Sequence, residues 1–345
     1  MNIVYDNLIY SLQKAGGIST YWSELSKRLI SDNADVYFIE SENNNIARKN
    51  ISIAKDRLIK DRGLPLLINR FLPLPLPAFK EKFIFHSSYN RITTNKKAVK
   101  VTTIHDFVHE KFYGGMRKIL HSYQKSKCLN TADMIITVSE NTKKDLLNIH
   151  LGISPDRIKV IQNGVSDDFF ITEKTHYDKQ YLLFVGSREH YKNFNFIVKL
   201  LKEVPGFDLY IVGKVLNKAE KQLLITNIPE RFKLFSNIDN NQLNTLYNSA
   251  YALLYPSLYE GFGIPLLEAM KAGTPFIALN KSSIPEVAGE AGVLIDDLDI
   301  DNFKQAIYNI ESKRNEYVLK GLQQVKLFSW DKCYHETIKL YRDLI

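Results

Sequence analysis

Two glutamates eight positions apart, Glu260 and Glu268, bracket the stretch Gly261-Phe262-Gly263-Ile264-Pro265-Leu266-Leu267. Ala252–Tyr255 ahead of them reads as a buried strand and Glu260–Gly263 as the turn behind it. Pro265 reads as a first helical residue, where the missing N–H is tolerated. Glycines on both sides of Phe262 let backbone amides approach a ligand, and the helix start offers unsatisfied N–H groups at the positive end of its dipole. A diphosphate suits that arrangement. Carboxylates accept hydrogen bonds, so the two glutamates suit the hydroxyls of a sugar or a ribose. A basic pair, Arg188 and Lys192, follows another strand, Tyr181–Val185. An Arg fork and a Lys point charge can together neutralise a leaving nucleotide diphosphate. Two glutamates at one helix start are common. The full constellation of strand, glycine turn and helix around them is not, and it favours a ligand. The basic pair by position alone reads equally well as a solvated helix start, and beside the glutamates as part of the same site.

The first half supplies further candidates. His105, with Asp106 beside it, follows the buried run Val101–Ile104, and Gly16-Gly17 follow the first strand. Both positions suit loops that face a cleft. No G-x-G-x-x-G occurs in the chain, which argues against a dinucleotide-binding dehydrogenase. Asp299-Ile300-Asp301 has the form of a metal-holding D-x-D, but its place before a helical stretch reads as a cap. With no cluster of metal ligands elsewhere, the sequence predicts neither a metal nor a cofactor, and phosphate charge falls to Arg188, Lys192 and backbone amides.

Elements that could hold these residues alternate along the chain as in α/β layers with parallel strands. Strands are predicted at Ile3–Tyr5, Val36–Ile39, Phe83–His86, Val101–Ile104 and Met134–Val138. The second half adds Tyr181–Val185, Asp208–Val212, Phe232–Phe235, Ala252–Tyr255, Phe276–Leu279 and Gly292–Ile295. Helices are predicted near Ile18–Ser31, Arg117–Ala132, Glu140–Leu147, Asn193–Leu201, Leu243–Ala250, Pro265–Ala272 and Asp301–Asn309, with a last one from Asp331. Two Rossmann-like lobes facing a central cleft follow, residues 1–165 and 166–328, with 329–345 as a terminal helix. Ligands in such sheets bind outside the carboxyl ends of the strands. Asn163-Gly164-Val165 and the polar stretch to about Lys179 read as a hinge. Leu64–Phe79 is apolar, and its prolines at 65, 73, 75 and 77 exclude a regular helix. It reads as a packed loop or as a surface that dips into lipid.

At 345 residues the chain exceeds the usual size of one hydrophobic core. Two distant cysteines, Cys128 and Cys333, fit a reducing cytoplasm. No signal peptide and no membrane-spanning run is read from the sequence. The net charge of +8 is uneven. Residues 1–165 carry 25 Lys and Arg against 15 Asp and Glu, and residues 166–345 carry 21 against 23. Such an excess in the first half is a solubilising surface or an attraction to an anionic partner: a membrane or a lipid-linked diphosphate. Nucleic acid ranks last, since no recognition signature accompanies the charge.

In chain order, Gly16-Gly17-Ile18, His105-Asp106, Ala132-Asp133 leading to Thr137–Glu140, and Val160–Val165 form a characteristic series. It continues with Phe184–Arg188, Lys192-Asn193, Glu260 to Glu268, and Phe328-Ser329-Trp330. The series resembles the GT4 family of retaining, metal-independent glycosyltransferases of the GT-B type, over nearly the whole chain. That resemblance implies a nucleotide-diphosphate sugar as donor and places His105, Glu260, Arg188 and Lys192 in catalysis. It implies donor contacts from Gly16, Gly17, Asn193, Glu260, Gly261, Phe262, Gly263, Ile264 and Glu268. It also implies a final helix that crosses back to the first lobe, and transfer with retention by front-face departure and attack. The stretches GSREHYKNF and YEGFGIPLLEAM look most like the mannosyltransferase-rich branch, which favours GDP-mannose. A lipid-linked oligosaccharide of the O-antigen or capsule type would be the acceptor, met by a cytoplasmic protein peripheral on the inner membrane face. The competing readings are a nucleotide-sugar epimerase or hydrolase on the same fold, and a non-catalytic glycan-binding protein.

Overall fold

The computed structural model describes residues 1–173 and 179–345, which divide into two compact units. One unit is Met1–Gly164 with Trp330–Ile345; the other is Val165–Ser329. Part of the expected hinge, 174–178, lies outside the described residues.

The first unit holds seven strands among the described residues: β1 (Ile3–Asp6), β2 (Val36–Glu40), β3 (Leu58–Lys60), β4 (Phe83–Ser87), β5 (Ala98–Ile104), β6 (Met134–Thr137) and β7 (Ile158–Val160). All pair in parallel, in the order β3-β2-β1-β4-β5-β6-β7. β1 and β4 are buried along their whole length, as expected of parallel strands covered on both faces. The two strands that the sequence does not announce, β3 and β7, are three-residue edge strands, and neither carries a buried apolar run. The short helices Leu8–Leu12, Ile46–Lys49, Leu66–Asn69 and Val108–Phe112 are likewise too brief to complete an apolar period. One of them corrects the reading of Leu64–Phe79. A single helical turn at Leu66–Asn69 fits between Pro65, which precedes it, and Pro73. Beyond it, Leu74 is buried, and Leu76 and Phe79 pack on the β4 face of the core.

The C-terminal helix, Trp330–Leu344, belongs to this first unit through a buried polar network. Its Tyr341 hydroxyl lies 2.9 Å from the Tyr5 hydroxyl of β1 and also bonds His86 Nδ1 of β4. His86 Nε2 meets Thr103 Oγ1 at 2.9 Å, and Tyr21 of the Gly17–Ser31 helix meets the same oxygen at 3.1 Å. Burial pushes the His86 imidazole down to about 3, so the ring is neutral and can accept through one nitrogen while donating through the other. At the rim, the Tyr334 hydroxyl donates to Asp32 at 2.7 Å and Arg28 Nε to Asp331 at 2.7 Å.

The second unit repeats the architecture with β8 (Tyr181–Val185), β9 (Asp208–Val212), β10 (Phe232–Phe235), β11 (Ala252–Tyr255), β12 (Phe276–Leu279) and β13 (Val293–Ile295). The order is β10-β9-β8-β11-β12-β13, again all parallel. Val165 and Ser329, the first and last residues of the unit, pair side by side in a parallel bridge. The described residues just after Val165 are held on this unit. Phe169 is buried, the Phe170 and Thr172 amides donate to Asn244 and Asn248, and Lys271 Nζ donates to the Ser166 carbonyl. Besides the five-residue helix Ile284–Ala288, the sequence does not announce Lys218–Asn227 and Arg314–Gln324, because each of these two buries a single residue and so shows almost no apolar stripe.

Tyr341→Phe leaves His86 Nδ1 and the Tyr5 hydroxyl without their partner inside the core. A stability loss of about 1–3 kcal/mol is expected. Urea denaturation followed by near-UV circular dichroism measures it, and an unchanged midpoint contradicts the network's role.

Candidate functional site

In the second sheet the strand order reverses between β8 and β11: one connection leaves toward β9, the other toward β12. Ligands bind outside the carboxyl ends of the strands at such a switch point. The two loops that start there carry Arg188, Lys192 and Asn193 on one side and Glu260 through Ile264 on the other.

Backbone geometry brings the loops together. After β8, Gly186 takes φ +136°, and its carbonyl would lie 2.6 Å from a Cβ on Gly213 at the end of β9, so Gly213 must be glycine for the strands to approach so closely. The chain then makes a short 3-10 turn, His190–Lys192, and Asn193 reverses it in the left-handed region at φ 55°. The Asn193 amide donates to the Pro256 carbonyl at 2.7 Å, and the Leu258 amide donates to the Tyr191 carbonyl at 2.8 Å. These bonds stitch the loop after β8 to the loop after β11. Asn193 thus has a framework task in addition to any ligand contact.

Lys192 is mostly buried and its ammonium pairs with Glu260 Oε1. The rings of Tyr191 and Tyr255 stand 5.4 and 5.5 Å from the same nitrogen. Glu260 is held by its backbone: its amide donates to Ser282 Oγ, and its carbonyl accepts from the Ser282 and Ser283 hydroxyls at 2.8 and 2.9 Å. Ser283, fully buried, also donates to the Phe262 carbonyl at 2.8 Å. Phe262 itself turns inward, edge-on to Phe328 at 5.7 Å between centroids, so only its backbone is offered to a ligand. Gly263, at φ +117°, is the N-cap of the Ile264–Lys271 helix, and no side chain caps that end. The helix begins at Ile264, and Pro265 therefore takes the second position rather than the first.

Glu268, one turn into that helix, accepts from the buried Tyr247 hydroxyl at 2.8 Å. Burial pushes its carboxyl up to about 7, against the pull of the Tyr247 hydrogen bond. Arg188 is committed largely to the protein. Its Nη2 donates to the Lys214 and Val215 carbonyls at 2.9 and 3.1 Å, and its Nε lies 3.0 Å from Glu220 Oε1. Among the described residues neither Nη1 nor Nε finds an aligned hydrogen-bond acceptor, although Nε lies within ion-pair distance of Glu220, so Nη1 is the donor with no partner nearby. It is therefore a strut between the ends of β8 and β9 as well as a positive charge at the site.

Gly16, Gly17 and His105 lie in the other unit. Gly16 is the extended N-cap of the Gly17–Ser31 helix, with no side-chain cap. His105 follows β5, half-buried and edge-on to Tyr21 at 4.9 Å, and burial holds its imidazole down at about 4. Asp299 caps the Ile300–Asn309 helix by accepting from the Asn302 amide at 2.8 Å. Among the described residues no group of three or more His, Cys, Asp or Glu side chains converges as metal ligands. Tyr247, Tyr255, Ser282, Ser283 and Glu220 escaped the sequence reading. Ser282-Ser283 ahead of Pro285 reads as a helix start, but nothing local announces which loop its hydroxyls hold.

Residues 166–319 match the family described as "Glycosyl transferases group 1", and residues 15–169 match "Glycosyltransferase Family 4". The chain is 27% identical over 315 residues to the O-antigen chain mannosyltransferase B of Escherichia coli, covering 81% of each chain. Its fold is similar to that of sucrose-phosphate synthase from Thermosynechococcus elongatus, with a TM-score of 0.78 and 18% identity over 99% of this chain and 98% of that one. It is also similar to Anabaena Alr3699/HepE in complex with UDP-glucose, with a TM-score of 0.74 and 13% identity over 99% and 100% of the two chains.

The raised Glu268 carboxyl carries a sign for stability. The folded protein holds this proton up to about pH 7, whereas an unfolded glutamate loses it near its ordinary 4.5. Stability is therefore greatest below the lower value and falls as pH rises toward the upper one, by up to about 3 kcal/mol. Glu268→Gln should remove that contribution. Thermal unfolding of both proteins between pH 4.5 and 7.5 checks it, and parallel pH profiles contradict the assignment.

Proposed function

As the chain belongs to the GT4 family of GT-B glycosyltransferases, we propose that it moves mannose from GDP-mannose to a hydroxyl of a lipid-linked oligosaccharide, with retention at the anomeric carbon. The observation that supports this best is the Lys192–Glu260 pair at the switch point of the second sheet, beside the uncapped helix start at Gly263. A diphosphate drawn to Lys192 competes with Glu260 for the ammonium, and the freed carboxylate oxygen can accept from sugar hydroxyls. Backbone amides around Gly263 and the helix dipole take up charge that develops on the leaving diphosphate. Glu268, already bonded to Tyr247 through one oxygen, offers the other to a donor hydroxyl. His105 and the Gly16–Gly17 loop are assigned to the sugar and acceptor side.

Front-face departure and attack, with the leaving phosphate accepting the acceptor's proton, needs no second carboxylate across the anomeric carbon. No metal or cofactor is assigned. The mannose assignment draws on the O-antigen mannosyltransferase relative and on the stretches GSREHYKNF and YEGFGIPLLEAM. The basic excess of residues 1–165 fits an acceptor at an anionic membrane face, with the protein peripheral on it. No helix among the described residues is long and apolar enough to cross a membrane.

Calorimetry with a panel of nucleotide-sugars tests the donor, with GDP-mannose expected to bind most tightly. Lys192→Ala should weaken GDP binding by about 1–3 kcal/mol, the scale of a charge-assisted hydrogen bond. Equal GDP affinity in the variant sinks the site assignment. Turnover should also survive excess EDTA; loss on chelation, restored by Mg2+ or Mn2+, overturns metal independence.

A further inference from the structure

In the first unit a cavity of about 320 Å³ opens between the Leu66–Asn69 turn and the start of the Gly115–Thr131 helix. Two guanidiniums line it, and neither has a carboxylate partner among the described residues. Arg70 bonds only the Gln124 side-chain oxygen, through Nε and Nη2 at 3.1 and 2.8 Å, and its charge faces the Phe71 and Tyr89 rings. Burial alone lowers its pKa, the mark of a cation short of compensation. Arg117 touches only the Tyr113 ring, at 4.3 Å. The nearby Glu110 is occupied elsewhere, by His121 at 3.2 Å and by Lys125 at 2.9 Å. Unpaired guanidinium forks at the edge of a cavity suit a phosphate, which they can grip through two parallel N–H bonds.

The rim is of the opposite character. The helix exposes Met116, Ile119, Leu120 and Tyr123, spaced i, i+3, i+4 and i+7, so its first two turns turn an apolar stripe outward. Across the cavity mouth stand Leu67, 78% exposed, and Ile68, 55% exposed. Leu67 and Leu120 both line the cavity, which makes the two apolar patches continuous with it. A free phosphate needs no such rim, and a flat anionic surface needs no such cavity. We infer that this site takes the phosphate or diphosphate of a long-chain lipid, with Arg70 and Arg117 on the phosphate and the chain laid over Leu67, Ile68, Ile119 and Leu120. The inference deepens the reading of a lipid-linked acceptor and rests on it for its biological sense, though not for its test.

The full-length protein is sedimented with neutral phosphatidylcholine vesicles carrying a polyprenyl phosphate, with phosphatidylglycerol vesicles of equal charge, and with plain neutral vesicles. The polyprenyl phosphate vesicles should be bound at least tenfold more tightly than either control. Arg117→Gln, at an exposed position, should lose about tenfold, the worth of one charge-assisted bond, with an unchanged thermal midpoint showing that the fold is intact. Leu67→Ser should weaken binding several-fold while GDP affinity stays unchanged in both variants. Equal binding to phosphatidylglycerol vesicles, or inorganic pyrophosphate binding as tightly as the lipid in calorimetry, overturns the inference, as does full retention by both variants. A protein that binds the polyprenyl phosphate through Arg117 but transfers no sugar to any lipid acceptor overturns the transferase reading and leaves the cavity assignment standing. One that transfers sugar to a lipid acceptor equally well as Arg117→Gln overturns the cavity assignment alone.

Discussion

An all-parallel sheet cannot fold without one reversal of strand order if it is to be covered on both faces, and that reversal leaves a crevice. Right-handed crossovers put successive helices on one face while the order runs outward, and on the other face once it turns back. In the second sheet the turn falls between β8 and β11. Backbone from neither connection can fill the gap, because the two loops leave in opposite directions. The residues proposed to act on the donor are gathered there by that constraint: the basic residues come from the loop after β8 and the first carboxylate from the loop after β11. What the sequence adds is stitching, through Asn193 to Pro256 and Tyr191 to Leu258, which keeps the loops at a fixed spacing.

Charges placed in such a crevice have to be held without being spent. Lys192 and Glu260 neutralise one another, with tyrosine rings on the cation and two serine hydroxyls on the backbone of the anion. Arg188 fixes its plane with two carbonyls accepting from Nη2 and with Glu220 at ion-pair distance, and its Nη1 has no partner among the described residues. Glu268 keeps its orientation through Tyr247. Arg188 and Glu268 are thus oriented by one set of atoms with another left over, whereas Lys192 and Glu260 hold one another until a competing anion separates them. In the proposed transfer, groups fixed in this way limit the reorganisation needed as charge builds on the departing group.

The central strands were legible because burial on both faces forces long apolar runs, and β1, β4, β8 and β11 show them. The edge strands β3 and β7 and the helices Lys218–Asn227 and Arg314–Gln324 were not, since each buries too little to impose a pattern. At the site, Glu260, Lys192 and the glycine turn could be singled out because their types are unusual at strand ends. Their supports could not. Tyr247 reaches Glu268 across 21 positions and Ser282 reaches Glu260 across 22, and separations of that size follow from topology rather than from any local period. The two units divide at Gly164, inside the stretch read as a hinge, but nothing local announces that residues 166–172 are held by Asn244 and Asn248 of a helix, across 74 and 76 positions.

The first sheet shares the strand order and resolves its own reversal differently. Between β1 and β4 the position is closed by Arg91, whose side chain is fully buried and bridges Asp6 at the end of β1 and Asp61 beyond β3, at 3.0 and 2.8 Å. Asn69 adds bonds to both Arg91 and Asp61. Burial pushes the Asp6 carboxyl up against the pull of Arg91, whereas Arg91 and further hydrogen bonds hold Asp61 down in spite of burial. A buried ion pair of this sort is weak evidence for stability, since an apolar filling can serve as well, but removing one partner costs about 3–5 kcal/mol. It does fix geometry: Asn69 ends the Leu66–Asn69 turn and binds the same arginine, so the exposed Leu67 and Ile68 are carried on a turn anchored to the centre of the sheet. One reversal is thus lined by the residues proposed to hold the donor, and the other is filled with charge that anchors an apolar surface feature.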